Sequence, residues 1–176
     1  MCDEFACELD VITKTTLQVY FLRNVKNTEE IKNNIIAGTW KCAVIKANLI
    51  LDPFLIAVAA NRAVVSEKLN TLVTRTVYTE ILYNLSLTKN ITQSLCRFGI
   101  ENNSDLLVCF LKTSDMDCGK EILSKIDGDI CPLSNLKDVV DKIKIKSLYK
   151  LNDLKHDIDL VDIIVSRMVT KTFVSH

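Results

Sequence analysis

One stretch limits the fold more than any other: Asp52-Pro53 followed by seven apolar residues without a break, Phe54-Leu55-Ile56-Ala57-Val58-Ala59-Ala60. An aspartate at the N-cap accepts a free backbone donor, and a proline at the first helical position has its φ already set. A helix is therefore expected from Phe54 to about Leu69. Because its first half is apolar on every side, it must be enclosed by the rest of the domain, so it reads as the central core element. Ala43 to Leu51, just before it, reads as extended. Lys46, Asn48, Asp52 and Pro53 interrupt the apolar run from Ala43 to Ala60, so it cannot cross a bilayer as a single helix.

The other elements follow from local pattern. Thr16 to Val25 is rich in β-branched and aromatic residues and predicts a strand, with Phe5 to Val11 as its hairpin partner. Asn27 with Glu30 predicts a capping box and a short helix to Ala37, stopped at Gly38; Asn90 with Gln93 predicts another, on a helix closing at Phe98-Gly99. Val77 to Leu85 has helical periodicity. Asp105 to Lys112 is a short continuous apolar run, as in a strand covered on both faces. A helix near Lys120 to Ile126, a strand fragment at Ile130-Cys131, a helix capped by Ser134 and reaching Val140, and a last helix from about Ile158 to Thr172 complete the chain.

With 176 residues, 48% of them hydrophobic, the chain can bury one continuous core. It shows no internal repeat, long linker or low-complexity tract, so residues 1–176 read as one domain. Strands and helices mix without strict alternation, which makes the class α+β, a mostly antiparallel sheet packed with helices in two layers. Lys plus Arg number 22 and Asp plus Glu number 22, so any contact with nucleic acid or an acidic membrane must be local. The opening Met1-Cys2-Asp3-Glu4-Phe5 resembles neither a secretory signal nor a transit peptide, which places the chain in the cytoplasm or nucleus. Seven cysteines without paired spacing read as reduced thiols, and the glycosylation-like triplets at Asn84, Asn90 and Asn102 then have no meaning.

Catalytic constellations are sparse. No phosphate-cradling glycine loop is present, and the two histidines are His156 and the terminal His176, so a nucleophile–histidine pair would rest on His156. Cys118, Cys131 and His156 could meet around a metal, but dispersed cysteines are more often small buried apolar residues. Asp157, Asp159 and Asp162 sit where carboxylates complement the dipole of the last helix. No enzyme activity, cofactor or metal is expected. Lys142, Lys144, Lys146 and Lys150, interleaved with Ile143, Ile145 and Tyr149, read as a solvated amphipathic face. A sparser group, Lys68, Arg75, Lys89 and Arg97, converges only if the middle helices fold back on each other.

The terminal helix carries more apolar surface than one neighbour can cover. Ile158, Leu160, Val161, Ile163, Ile164, Val165 and Met168 span over half of the helical wheel. Such a helix has two apolar neighbours: both within its own domain, or one on a partner.

Two runs resemble a known family: Asp52 through Val64, and Thr74-Arg75-Thr76-Val77-Tyr78-Thr79-Glu80-Ile81-Leu82-Tyr83-Asn84-Leu85-Ser86. Asn90-Ile91 through Phe98-Gly99-Ile100, Tyr149-Lys150-Leu151 and Asp162-Ile163-Ile164-Val165-Ser166-Arg167-Met168 agree in the same order. They look like the TPRKB family, the kinase-binding subunit of the KEOPS (EKC) complex; Ser114 to Lys125 and both ends depart from its pattern. The resemblance implies a non-catalytic α+β subunit that binds the complex's small atypical protein kinase. That kinase in turn holds the threonylcarbamoyl-transferring subunit, so the chain would support threonylcarbamoyladenosine modification of tRNA. It also implies help in recruiting tRNA, a use for Lys68, Arg75, Lys89 and Arg97. The kinase contact is expected on the terminal helix, at Leu160, Ile163, Ile164 and Met168. The competing expectation is a stand-alone RNA-binding module.

Overall fold

The computed structural model describes residues 4–102, 104–113, 119–153 and 159–173. Strand β2 (Thr16–Arg23) is the spine of the sheet. Its side chains alternate, Leu17, Val19 and Phe21 to one face and Tyr20 and Leu22 to the other. Strand β1 (Phe5–Glu8) pairs with it as the expected hairpin. Strand β4 (Leu106–Lys112) lies on its other edge, and β3 (Ala43–Lys46) pairs with β4 at the rim of the sheet. Strand β5 (Asp129–Cys131) pairs with the end of β2, from Phe21 to Arg23. All of these pairs are antiparallel, which is the expected α+β architecture.

The layering differs from expectation. The larger core lies on the face shown by Leu17, Val19, Phe21, Leu107 and Cys109, under α2 (Pro53–Lys68), α3 (Val77–Leu85), α4 (Ile91–Phe98), α6 (Lys142–Leu148) and α7 (Leu160–Thr170). A second core occupies the opposite face, where Tyr20, Leu22, Val108 and Phe110 meet Trp40, α1 (Thr28–Ile36) and α5 (Gly119–Ser124). Two layers thus become three. The cause is visible in β4, whose continuous apolar run gives both faces something to bury.

Helix starts are set by short-range chemistry. Asp52 caps α2, its Oδ1 accepting from the Phe54 amide at 2.8 Å, with Pro53 behind it. Asn90 accepts from the Gln93 amide at 2.9 Å and opens α4. Thr76 and Thr79 form a reciprocal capping box at α3 that the sequence reading missed, because a threonine stands where an acid or amide is usual. The expected box at α1 does not form. Asn27 instead accepts from the Asp127 amide and donates to the Lys125 carbonyl, both at 2.9 Å, pinning the α5–β5 connection over α1. The helix expected at Ser134 is a 3-10 turn, Leu133–Asp138, and the extended segment after β3 closes in another, Ala47–Leu49.

A candidate docking surface on the helical layer

The four residues of α7 expected to meet a partner do not stay together. Ile164 and Met168 are fully buried and Leu160 nearly so, while Ile163 is half-buried. Leu160, Ile164 and Met168 stand at four-residue spacing on one stripe, and that stripe packs into the main core against α2 and α3. Their apolar surface is already used inside the chain, which corrects their assignment as contact residues.

Three cations fasten α7 in place. Arg62 of α2 donates to the Met168 carbonyl at 2.7 Å. Arg167 donates to the Tyr149 and Lys150 carbonyls at 2.7 and 3.1 Å, joining α7 to the end of α6. Lys171, 1% exposed, donates to the Ser86 carbonyl at 3.0 Å and to the Tyr83 carbonyl, and its ammonium stands 3.4 Å from the centre of the Tyr83 ring. A cation at the end of α3 meets the negative pole of that helix. Burial pushes the Lys171 ammonium down to about 8, with Arg62 acting in the same direction and Glu80 opposing it. Glu80 is itself buried, and its carboxylate accepts from the Thr74 amide at 2.8 Å and the Thr74 hydroxyl at 2.7 Å, closing the α2–α3 connection.

One open apolar stripe runs along α2. Its inner arc is filled by Leu55, Ile56, Ala57, Ala59, Ala60, Ala63 and Val64. Phe54, Val58, Val65 and Leu69 share the opposite arc, with Phe54 48% and Leu69 65% exposed and both valines half-buried. The expectation that α2 is enclosed on every side is corrected here, since one stripe faces out. The β1–β2 hairpin tip borders that stripe. The Asp10 amide donates to Asn61 Oδ1 at 2.8 Å and Lys68 donates to the Ile12 carbonyl at 2.9 Å, which holds exposed Val11 and Ile12 beside α2.

The other border is a flank of α7. Going round its wheel, Arg167 reaches α6, Lys171 reaches α3 and Met168 lies against Arg62 of α2; the next sector holds Val161, Val165 and Val169, all half-buried. The valine flank adjoins the buried stripe of α7, and Val161 and Val165 pack in part against the main core. Exposed apolar surface of this kind is a candidate docking surface.

The sequence model for the kinase binding protein CGI-121 matches residues 22–172. The chain belongs to that family. A zebrafish (Danio rerio) relative, the EKC/KEOPS complex subunit TPRKB, is 32% identical over 170 residues, 93% of this chain and 95% of the relative. The EKC/KEOPS complex subunit CGI121 of Yarrowia lipolytica is 28% identical over 139 residues, 77% and 79% of the two chains. A third, from Coccidioides immitis and of the same name, is 27% identical over 150 residues, 80% and 72% of the two. The family resemblance read from the sequence is borne out.

In this CGI-121 chain the middle helices do fold back on each other, α2 on α3 and α3 on α4, with the four cations spread over their ends. Lys68 and Arg75 flank the connection from α2 to α3, Lys89 lies past the far end of α3, and Arg97 is in the last turn of α4. A nine-residue helix spans about 13 Å, so Arg75 and Lys89 stand at opposite ends of α3. On α6, Lys142 and Lys144 face solvent as expected and Ile145 is buried, but Ile143 is exposed with the lysines, so the amphipathic pattern is only partly realised.

Among the described residues no group of three His, Cys, Asp or Glu could hold a metal ion; Cys118, His156, Asp157 and His176 lie outside them. Asp159 caps α7, accepting from the Val161 amide at 3.2 Å. Burial pushes the Cys42 thiol up to about 12 and the Cys109 thiol higher still, with Cys42 adding to the latter, so neither is a thiolate near neutral pH. No helix among the described residues is long and apolar enough to cross a membrane.

Proposed function

We propose that this chain is a non-catalytic docking subunit of an EKC/KEOPS complex, and that it binds the complex's small atypical protein kinase through the open stripe of α2 and the valine flank of α7. The observation that carries the reading is that stripe: Phe54, Val58, Val65 and Leu69 in a row on a capped, sixteen-residue helix, bordered by the fastened hairpin tip and by α7. A rigid helical face loses little conformational freedom on binding, which favours affinity. Ile163, half-buried on the far flank of α7, is the one residue of the earlier set with surface to offer. Through the kinase the chain meets the threonylcarbamoyl transferase indirectly and supports threonylcarbamoyladenosine modification of tRNA, in the cytoplasm and nucleus.

The test is calorimetric titration of the full chain with that kinase. Phe54→Glu places a carboxylate in the first turn of α2, where it suits the helix dipole, so the fold should persist. Affinity is expected to fall about thirtyfold, the size of a contact worth roughly 2 kcal/mol. Unchanged affinity in a folded variant sinks the placement, and an absence of binding by the wild type sinks the function.

The cations give tRNA a subordinate place. Lys68, Arg75, Lys89 and Arg97 sit at the ends of α2 and α4 and in the connections on either side of α3, which suits a few contacts to a phosphate backbone within a larger complex better than a stand-alone RNA-binding module. Assembled with the kinase and transferase, a Lys89→Glu/Arg97→Glu variant should bind tRNA more weakly and with a shallower salt dependence. An unaltered salt slope removes these residues from the tRNA contact.

A further inference from the structure

A second surface lies away from the α2 stripe, along the rim of the sheet. Strand β3 is the last strand, and its outer edge carries one bridge, between Ile45 and Gly99. Gly99 ends α4 there, where a Cβ would meet the Leu95 carbonyl oxygen at 2.5 Å. Toward its start β3 is left open. Its pairing with β4 stops at Ala43 and Cys109, whereas β2 follows β4 on to Lys112, so β4 runs three residues past the end of β3. A groove of about 720 Å³ fills the gap, with Cys42, Ala43, Val44 and Leu111 along its floor.

The walls of the groove come from both sides of the sheet. Ile35, Ile36 and Trp40 belong to the α1 side, and Tyr78, Leu82 and Leu95 to the α3–α4 side. A strand laid against the edge sends alternate side chains to opposite faces, so this groove can receive both sets at once. Lys32, Lys41 and Arg75 line it against a single acid, Glu67. Among the described residues no ion pair engages Lys41 or Arg75. Trp40 is only 6% exposed, so it offers no free ring face on which a nucleic-acid base could stack.

We infer that this groove binds an extended, acidic segment of a partner protein by strand addition at the edge of β3, with apolar side chains alternating into the two walls and carboxylates meeting Lys32 and Lys41. The inference is independent of the kinase contact, which uses the outer stripe of α2 and a flank of α7; α2 reaches the groove only through Val64 and Glu67, outside that stripe.

The test is a selection of random displayed peptides against the full chain, followed by titration of the winning synthetic peptide. The expected consensus alternates apolar residues and contains Asp or Glu, and its binding changes the fluorescence of Trp40, the single tryptophan. Lys32→Glu/Lys41→Glu, two exposed positions, should weaken that peptide about tenfold or more while kinase affinity holds. A basic consensus, helical spacing of the apolar residues, no enrichment, or full affinity in the double variant overturns the inference. Displacement of the peptide by a single-stranded oligonucleotide would assign the groove to nucleic acid and overturn it as well.

Discussion

Helices α2 and α7 carry the same surplus of apolar side chains, and the chain treats them in opposite ways. In α7 the stripe Leu160, Ile164, Met168 is closed in by α2 and α3, and Arg62, Arg167 and Lys171 tie it down. In α2 the side toward the core is half alanine, Ala57, Ala59, Ala60 and Ala63, so its neighbours can approach closely. The bulkier Phe54, Val58, Val65 and Leu69 are left pointing outward. A wide apolar arc counts how many neighbours a helix has, but not whether they belong to the same chain.

The sharpest way to break this contrast is at Ile164. If α7 is internal, Ile164→Ala should cost about 2–5 kcal/mol in urea unfolding, and Ile164→Arg should abolish the cooperative transition by burying an unpaired charge. A stable Ile164→Arg chain that merely fails to bind the kinase would return the contact to α7.

A smaller effect belongs to the lysine that locks α7. Lys171→Met leaves the Tyr83 and Ser86 carbonyls without their donor and should cost about 1–3 kcal/mol at pH 7. The pH dependence sharpens the point. With its folded value held down to about 8, against an ordinary 10.5, Lys171 gives up its proton in the folded chain first. Between those values the unfolded chain binds more protons, so stability should rise with pH, while below pH 8 the penalty on the buried charge is present in full. The wild type should therefore gain on Lys171→Met across that window; a gap independent of pH would mean that the ammonium is solvated.

The α2 side offers gentler tests. Asp52→Ala removes the cap and should cost about 1 kcal/mol, loosening the first turn that carries Phe54. Ile12→Ser, at a 70% exposed position, should leave unfolding within about 0.5 kcal/mol of the wild type. Its kinase affinity should nonetheless fall several-fold by calorimetry, and an unaffected affinity would remove the hairpin tip from the surface.

What could be read in advance follows the range of the forces involved. Asp52-Pro53 and Asn90 act within one helical turn, and α2 and α4 were legible from them. Asn27 has equally local grammar, yet its partners Lys125 and Asp127 lie 98 and 100 residues away, so its role was not. Helix α6 hides in a lysine–isoleucine alternation in which only Ile145 is buried. The candidate site shows the same limit. Its apolar surplus was visible, but the direction of α7 depends on Arg62, Arg167 and Lys171, which as sequence look like ordinary surface cations.

The most direct measurement of the central claim is methyl NMR of the full chain, with its Ile, Leu, Val and Met methyls labelled, titrated with the kinase. The prediction is that Val58, Val65, Leu69, Val161 and Val165 shift and broaden, while Ile164 and Met168 stay in place. Perturbation confined to the β3 groove or to the α1–α5 face, with Val58 and Val65 unmoved, would contradict it.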